Sequence, residues 1–507
     1  MADWGSGYPT DNAYVLTYCR TQLPSILALA ALTGGVEAAG GAGEPFAYCD
    51  IGCGQGFNSN IIAAANPAAR VFGVDFNPSH IASARALATA AGLSNVEFRE
   101  SSFEELAADR TVPQFDIMAM HGTYGWISAP SRKAIVSLIA SRLRPGGLLY
   151  VSYDCMPGWA GMVPMQRIMA RHFAPRPGMG SPAAIERALG YYDQLHAAGG
   201  RFPGMFPNVE PHMEHFRKMP AAYLAHEWLP RGWQAFSFSD VATELTGAKL
   251  VYVASSFLTD GVEQVNYTDA QHKFVAGLDD TLLQEDTRDM LLGRQFRRDV
   301  FVKGVAPASP VRLRTRWLDT RFVMTVPEAD FNLTFETAVG KLQLRADVHG
   351  PLLELLHHGP ITLREVMDRL PPSAADWGSV TDIVRLLIGR DDLQPALPAD
   401  GDTARAASTR AFNDAVLARV LDSDIYAHLA SPVTGGGVKV DRLAQLYLLA
   451  KRRGADPRTM LAKLALGEKP ADGGPITTPE GAQEFAVEHA ARIENSVLPI
   501  LGKVGIV

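Results

Sequence analysis

Tyr48-Cys49-Asp50-Ile51-Gly52-Cys53-Gly54-Gln55-Gly56-Phe57-Asn58-Ser59-Asn60 decides the fold of this chain. An apolar run through Ala47, Tyr48 and Ile51 ends in glycines, and a helical run over 57–65 follows at once. That order is strand, tight turn, helix. Gly52, Gly54 and Gly56 carry no Cβ, so a ligand can lie against the backbone there, and the helix start presents free N–H groups. Some twenty residues on, Val71-Phe72-Gly73-Val74-Asp75 reads as a second buried strand ending in a carboxylate. An acid at that place can accept hydrogen bonds from both hydroxyls of a ribose. The spacing Gly52-x-Gly54-x-Gly56 lacks the later third glycine of the dinucleotide fingerprint, and taken alone it also fits a glycine turn in any α/β domain.

The same alternation runs on from this turn. Asn77 caps and Pro78 opens a helix through residue 91. Strands are expected at 96–98, 115–120 and 148–153, with helices from 101 and over 131–143 and a turn at Pro145-Gly146-Gly147. Strand–helix units of this length predict a parallel sheet, with ligands beyond the carboxyl ends of its strands. Those ends carry the glycine turn, Asp75, Ser102, His121 and Tyr153-Asp154. Residues at about 155–230 break the pattern with many prolines, glycines and aromatics, and read as a helical insertion over the site. The pattern resumes at 233–255, a second helical insertion spans about 268–294, and a last, antiparallel strand is expected at 301–304.

The chain divides into an N-terminal lid and linker (1–44), a core (45–304), a domain at 311–397 and a C-terminal domain at 408–507. Residues 12–32 carry apolar positions at helical spacing that Pro24 should interrupt. They read either as a helix packed on the domain edge or as a lid lined by Tyr8 and Tyr14. The stretch 33–44 is Gly/Ala-rich and reads as a flexible linker. Residues 322–370 suggest strand, strand, helix, turn, helix, a winged-helix-like order, with a linker at 395–407 and helices throughout 410–507.

Composition narrows the function classes. The 507 residues are 47% hydrophobic, ample for large cores, and the net charge of −7 argues against a general nucleic-acid binder. Residues 321–400 carry 7 Lys/Arg against 12 Asp/Glu, the wrong sign for phosphate contacts by a winged helix. Four cysteines make no disulfide framework, and Cys49 and Cys53 read as small buried residues. Neither His226-Glu227 nor His212 and His215 has the spacing of a metal site. The start lacks a signal peptide and no apolar run is long enough to span a bilayer, which points to a cytoplasmic protein.

Asp50 inside one strand and Asp75 ending the next resemble the first two motifs of class I S-adenosylmethionine-dependent methyltransferases. The whole chain resembles the bacterial methyltransferases that carry a methyltransferase regulatory domain. The residues are Trp4-x-x-Gly7-Tyr8-x-x-Asp11, the glycine turn, Val74-Asp75-Phe76-Asn77-Pro78, His121-Gly122-x-Tyr124-x-Trp126-Ile127-Ser128 and Tyr153-x-x-Met156-Pro157-Gly158-Trp159. Tyr223-Leu224-Ala225-His226-Glu227, Gln295-Phe296-Arg297-Arg298-Asp299 and Ser431-Pro432-Val433-Thr434-Gly435 belong with them. The layout is also similar to bacterial lysine methyltransferases that act on outer-membrane proteins.

The resemblance implies a Rossmann-like, seven-stranded α/β methyltransferase core with helical insertions, then the winged-helix-like and α-helical domains. It implies S-adenosylmethionine as cofactor and S-adenosylhomocysteine as product, held by Tyr8, Asp50, Gly52, Cys53, Gly54, Gly56, Asp75, Phe76, Ser102, Phe103 and His121. It places the substrate near His121, at the end of the fourth strand. His121 is either a site residue or a structural histidine bonding a loop. Tyr124 and Trp126 form either an aromatic wall around an amine or ordinary packing over the sheet. Tyr153 and Asp154 face the crevice, and Asp154 orients or deprotonates the substrate or is a solvated loop acid. Trp159 is a substrate contact or core of the insertion. Arg297 and Arg298 pair with acids of the fold.

The activity so implied is lysine N-methylation of a protein. A small molecule or surface glycan is the alternative acceptor, and a cofactor-binding scaffold without catalysis is the alternative of another class. The absence of an Asn/Asp-Pro-Pro-Tyr/Phe motif after strand four lowers the adenine and glutamine readings, and nucleic acid is not expected as a partner. The long insertion offers a surface for a homodimer.

Overall fold

The computed structural model describes residues 5, 7–38, 43–175, 179–305, 307–466 and 476–507. Trp4 of the N-terminal motif, part of the 33–44 linker and residues 467–475 lie outside the described residues.

Helix α1 (Pro24–Thr33) precedes the sheet. The alternation then gives β1 (Ala47–Ile51), α2 (Phe57–Ala65), β2 (Arg70–Asp75), α3 (Pro78–Ala90), β3 (Val96–Glu100), α4 (Phe103–Ala108), β4 (Phe115–Met120), α5 (Ala129–Arg142) and β5 (Leu143–Asp154). The insertion supplies α6 (Val163–His172), α7 (Ser181–Ala197), α8 (Val209–Arg217) and α9 (Ala221–Trp228). Then α10 (Phe238–Thr246), β6 (Leu250–Ser255) and β7 (Phe296–Lys303) complete a seven-stranded sheet in the order β3-β2-β1-β4-β5-β7-β6. Strand β7 runs antiparallel to both neighbours. The order reverses between β1 and β4, which opens a crevice at their carboxyl ends.

Two strands start earlier than expected. Strand β5 begins at Leu143, so Pro145-Gly146-Gly147 lies within it, beside a register shift against β4. Strand β7 begins at Phe296, because its charged positions are buried rather than exposed. Arg297 pairs with Glu285, Asp289 and Asp299 inside the fold, whereas Arg298 lies over the rings of Phe257 and Phe296. A buried charge fully met by opposite charges is tolerated in a strand.

Helix α2 is buried along its whole length. One face covers the sheet, and Phe57, Ile61 and Ala64 share a second apolar cluster with Phe412, Val416 and Tyr447 of the C-terminal region. That region is not helical throughout. His428–Ser431 and Gly436–Lys439 pair as an antiparallel hairpin over α2. The expected linker at 395–407 is replaced by strand Leu393–Ala396 and helix Asp402–Leu417. Pro395 fits that strand because it lies at the edge of a three-stranded sheet with Arg321–Met324 at its centre. Helices Ala346–His357, Leu363–Arg369 and Trp377–Arg390 pack around the sheet. The insertion has an apolar core of its own, including Met162, Met165, Met169, Tyr192, Phe216 and Trp228.

Before Pro24 the 12–32 stretch forms no α-helix, only a single 3₁₀ turn at Arg20–Gln22. Residues 8–19 form an extended strap across the carboxyl ends of the strands, because its polar groups find partners on the body rather than within a helix. The Ser181 N–H donates to Asp11 at 2.6 Å, Asn12 donates to the Ala222 carbonyl at 3.0 Å, and the Cys19 N–H donates to Asn58 at 3.0 Å. The Gly437 N–H donates to the Tyr18 hydroxyl at 2.6 Å and ties the strap to the C-terminal hairpin.

Candidate active site

The glycine turn follows from β1. Gly56 caps α2 with φ +67°, and a Cβ there would meet Ala84 and Phe98 at 2.5 and 2.6 Å, so only glycine fits. Gly54, at φ +54°, has open space where its Cβ would point, so the turn leaves a backbone surface bare for a ligand. Its N–H donates to Asp75 at 3.0 Å. The other Asp75 oxygen accepts from the Asn77 N–H at 2.8 Å and lies 3.2 Å from His80 Nδ1. His80 Nε2 accepts from the Tyr14 N–H of the strap at 3.3 Å, which puts the ring proton on Nδ1, facing the carboxylate. Among the described residues, three of the four lone-pair positions of Asp75 are thus used, and one remains on the oxygen bonded by Gly54.

Two connected cavities lie under the strap. The larger is lined by Tyr8, Tyr14, Gly52, Gly54, Asp75, Phe76, Ser102, Phe103, His121 and Trp126, with His80 and Thr123. The smaller is lined by Tyr14, Cys19, Asp50, Gly52, Cys53, Gly54, Gln55 and His121. Gly52, Gly54, Tyr14 and His121 face both, so the turn and His121 stand at the junction. Asp50 accepts from the Ser59 hydroxyl at 2.6 Å, and burial pushes its carboxyl up to about 6. The Tyr8 ring packs edge-on against Phe76 at 5.8 Å and beside Trp126 at 6.2 Å.

His121 is held by its Nδ1, which lies 2.8 Å from the Tyr150 hydroxyl, 2.9 Å from Ser152 and 3.4 Å from the Cys19 thiol. Burial raises the Cys19 thiol, but the charge and hydrogen bond of His121 outweigh it and bring the thiol below its ordinary range. Burial lowers His121, and the Cys19 charge reverses this and holds it above its ordinary range. The pair favours thiolate and imidazolium. A protonated ring can donate a hydrogen bond but cannot accept a proton.

Several residues expected at the site stand elsewhere. Tyr124 is buried in the sheet core and its hydroxyl donates to Glu244. Tyr153 is also buried and donates to Asp299 at 2.7 Å. Both rings point into the apolar cluster under α10 instead of the crevice, since an acceptor carboxylate waits there. Trp126, not Tyr124, supplies the aromatic wall. Trp159 packs on His212 and Trp228 in the insertion. Asp154 accepts from the Trp233 indole at 2.8 Å, and burial pushes it up to about 6. Among the described residues no cluster of three His, Cys, Asp or Glu could hold a metal ion.

Cys19, Gln55, His80 and Thr123 escaped the sequence reading. Cys19 and His121 lie 102 residues apart, and no spacing rule links them. His80 carried a signal, since it falls in the first turn of the helix directly after Asp75.

Comparison with known proteins bears on this arrangement. A methyltransferase domain model matches residues 44–172, and a model described as a predicted methyltransferase regulatory domain matches residues 220–303. An uncharacterized protein of Synechocystis sp., sll1526, is 34% identical over 510 residues, 99% of each chain. The chain belongs to the methyltransferases that carry this regulatory domain. It is an S-adenosylmethionine-dependent methyltransferase with a class I core. PKMT2 from Rickettsia typhi shares the fold of this methyltransferase, with a TM-score of 0.69 over 96% of this chain and 99% of that one at 16% identity. PKMT2 in complex with AdoHcy gives a TM-score of 0.67 over 94% and 97% of the two chains at 16% identity. Trans-aconitate 2-methyltransferase of Deinococcus radiodurans is 27% identical over 165 residues, 32% of this methyltransferase and 55% of that enzyme.

Proposed function

We propose that this methyltransferase transfers its methyl group to lysine side chains of a protein. The observation that carries the reading is the ring wall of Tyr8, Tyr14 and Trp126 beside His121, where the two cavities meet. Aromatic faces attract an ammonium and shed water, which favours both binding and deprotonation of an amine. The likeness in fold to PKMT2 from Rickettsia typhi over nearly the whole chain supports it.

The residues present fit the cofactor. The bare face of Gly54 admits a nucleoside, and the free lone pair of Asp75 takes a ribose hydroxyl. Phe76, Ser102 and Phe103 would hold the adenine. Asp50, with no arginine or lysine paired to it among the described residues, suits the cofactor's own ammonium. Bound there, the cofactor supplies an electrophilic methyl group and its own leaving group. The chain must position the amine in line with that methyl and exclude water, which is the work of the strap and its rings. His121 donates through Nε2 and orients groups at the junction. The Cys19 charge raises its pKa, which disfavours the neutral ring that a base needs.

Incubating a cell lysate with methyl-labelled cofactor and this chain tests the reading. Label on lysine in peptides supports it. Label confined to small soluble products replaces it with small-molecule methylation, and no label with intact cofactor binding points to the scaffold.

A further inference from the structure

Helix α9, inside the regulatory-domain segment, sends a carboxyl toward the site. The Tyr14 hydroxyl donates to Glu227 at 3.2 Å, and the Tyr223 hydroxyl, one turn earlier on α9, stands beside the same carboxyl and favours its charged form. Tyr14 is also a wall residue of both cavities. Glu227 feels the charges of Asp154, at the end of β5, and of His121, after β4. Both carboxyls are surrounded by protein yet retain some accessible surface, as groups at the bottom of a cleft do. Tyr14 and Tyr223 stand beside Glu227 and Trp233 beside Asp154, and Tyr14 links them to Trp126 of the larger cavity. Tyr14 lies 5.8 Å from Trp126 and 6.3 Å from Tyr223.

Among the described residues no lysine or arginine pairs with either acid. His226, fully buried beside the rings of Tyr8 and Tyr14, has no side-chain partner at either nitrogen among the described residues, and burial lowers it to about 4, so it supplies no charge. Among the described residues His121 is the one cation whose charge reaches Glu227 here, and it pairs with Cys19 rather than with either acid, so an ammonium arriving between the two carboxyls would relieve their burial.

We infer that Glu227 receives the ammonium of the acceptor and takes its proton, with Tyr14 and Tyr223 holding the carboxyl in place. This rests on the lysine reading above, and it explains how the base is supplied when His121 is charged. The ammonium gives one proton to the Glu227 carboxylate. The freed nitrogen lone pair forms the N–C bond to the methyl, and the C–S electron pair returns to sulfur. Burial and the Asp154 charge push the Glu227 carboxyl up to about 7, near that of an efficient base at neutral pH.

The test uses the full chain saturated with S-adenosylhomocysteine, and n-butylammonium as the probe, followed by calorimetry. We expect wild type to bind the probe and to prefer it to pentan-1-ol. Binding should strengthen as pH rises through about 7. Glu227→Gln should weaken the probe at least tenfold while keeping its affinity for S-adenosylhomocysteine. Tyr14→Phe removes a hydrogen bond that favours the carboxylate, so the pH midpoint should move up. Equal binding by wild type and Glu227→Gln, no binding by wild type, or no preference over the alcohol each overturns the inference. If methyl-lysine still forms in the lysate, the lysine reading survives that failure. If the probe binds as expected and no lysine is labelled, the amine site stands and the acceptor is a small amine.

Discussion

The Cys19 thiol lies 3.4 Å from Nδ1 of His121, so the strap delivers an anion to the ring at the end of β4. Cys19→Ser removes that anion. We expect the His121 imidazole to titrate at lower pH in the variant, read by NMR of labelled histidine. Cys19 should also react with iodoacetamide faster than Cys49, Cys53 or Cys155, whose thiols burial pushes up. Bound S-adenosylhomocysteine should slow that reaction, since Cys19 lines the smaller cavity. An unmoved His121 titration means that the pair is not ionised.

Among the described residues Asp75 meets three protein donors and keeps one lone pair free. If that lone pair takes a ribose hydroxyl, Asp75→Ala should weaken S-adenosylhomocysteine by roughly ten- to hundredfold, the worth of about 1.5–3 kcal/mol for a hydrogen bond to a charged group. Calorimetry reads this directly. A variant that binds as wild type places the ribose elsewhere.

The sheet was readable because each of its first five strands ends in a turn signal, and Gly52, Gly54 and Asp75 repeat a local chemistry at fixed spacing. Strand β7 was clipped at its start because Arg297 and Asp299 look like surface residues until Glu285 and Asp289 fold against them. Residues 12–19 have helical periodicity, yet they form a strap, since Ser181, Ala222 and Asn58 offer partners that no local pattern announces. Tyr124 and Tyr153 sit at the expected places along the chain. Their direction depended on Glu244 and Asp299, 120 and 146 residues away. Glu227 stood in a recognised motif, but its relation to Tyr14 spans 213 residues.

The strap is held at one end by Asp11, which accepts from the N–H and hydroxyl of Ser181 at the start of α7. The position before that helix is Gly180, which has no capping side chain, so Asp11 caps it from a distant part of the chain. Asp11→Ala should cost about 1 kcal/mol of local stability and speed hydrogen exchange of strap amides roughly fivefold. Mass spectrometry resolves this by segment. Exchange that accelerates only in α7 shows that the strap is fastened elsewhere.

Asp50 lies under the glycine turn, and burial raises it to about 6 against the Ser59 hydroxyl bond that lowers it. A carboxyl raised in the fold adds stability below its unfolded value near 4 and loses that contribution as pH rises through about 6. Above that pH the folded chain holds a buried anion, which an ammonium from the cofactor would offset. Affinity for S-adenosylhomocysteine should therefore climb by up to about tenfold per pH unit below pH 6 and level off above pH 7. Asp50→Asn removes the titrating group, so its affinity should be weaker at pH 7.5 and flat across the range. Ser59→Ala should move the wild-type midpoint upward, because the anion loses its donor. Calorimetry at pH 5, 6, 7 and 8 separates these outcomes. A wild-type profile without slope, or the same slope in Asp50→Asn, removes Asp50 from the cofactor's ammonium and leaves the strap as the element that binds it.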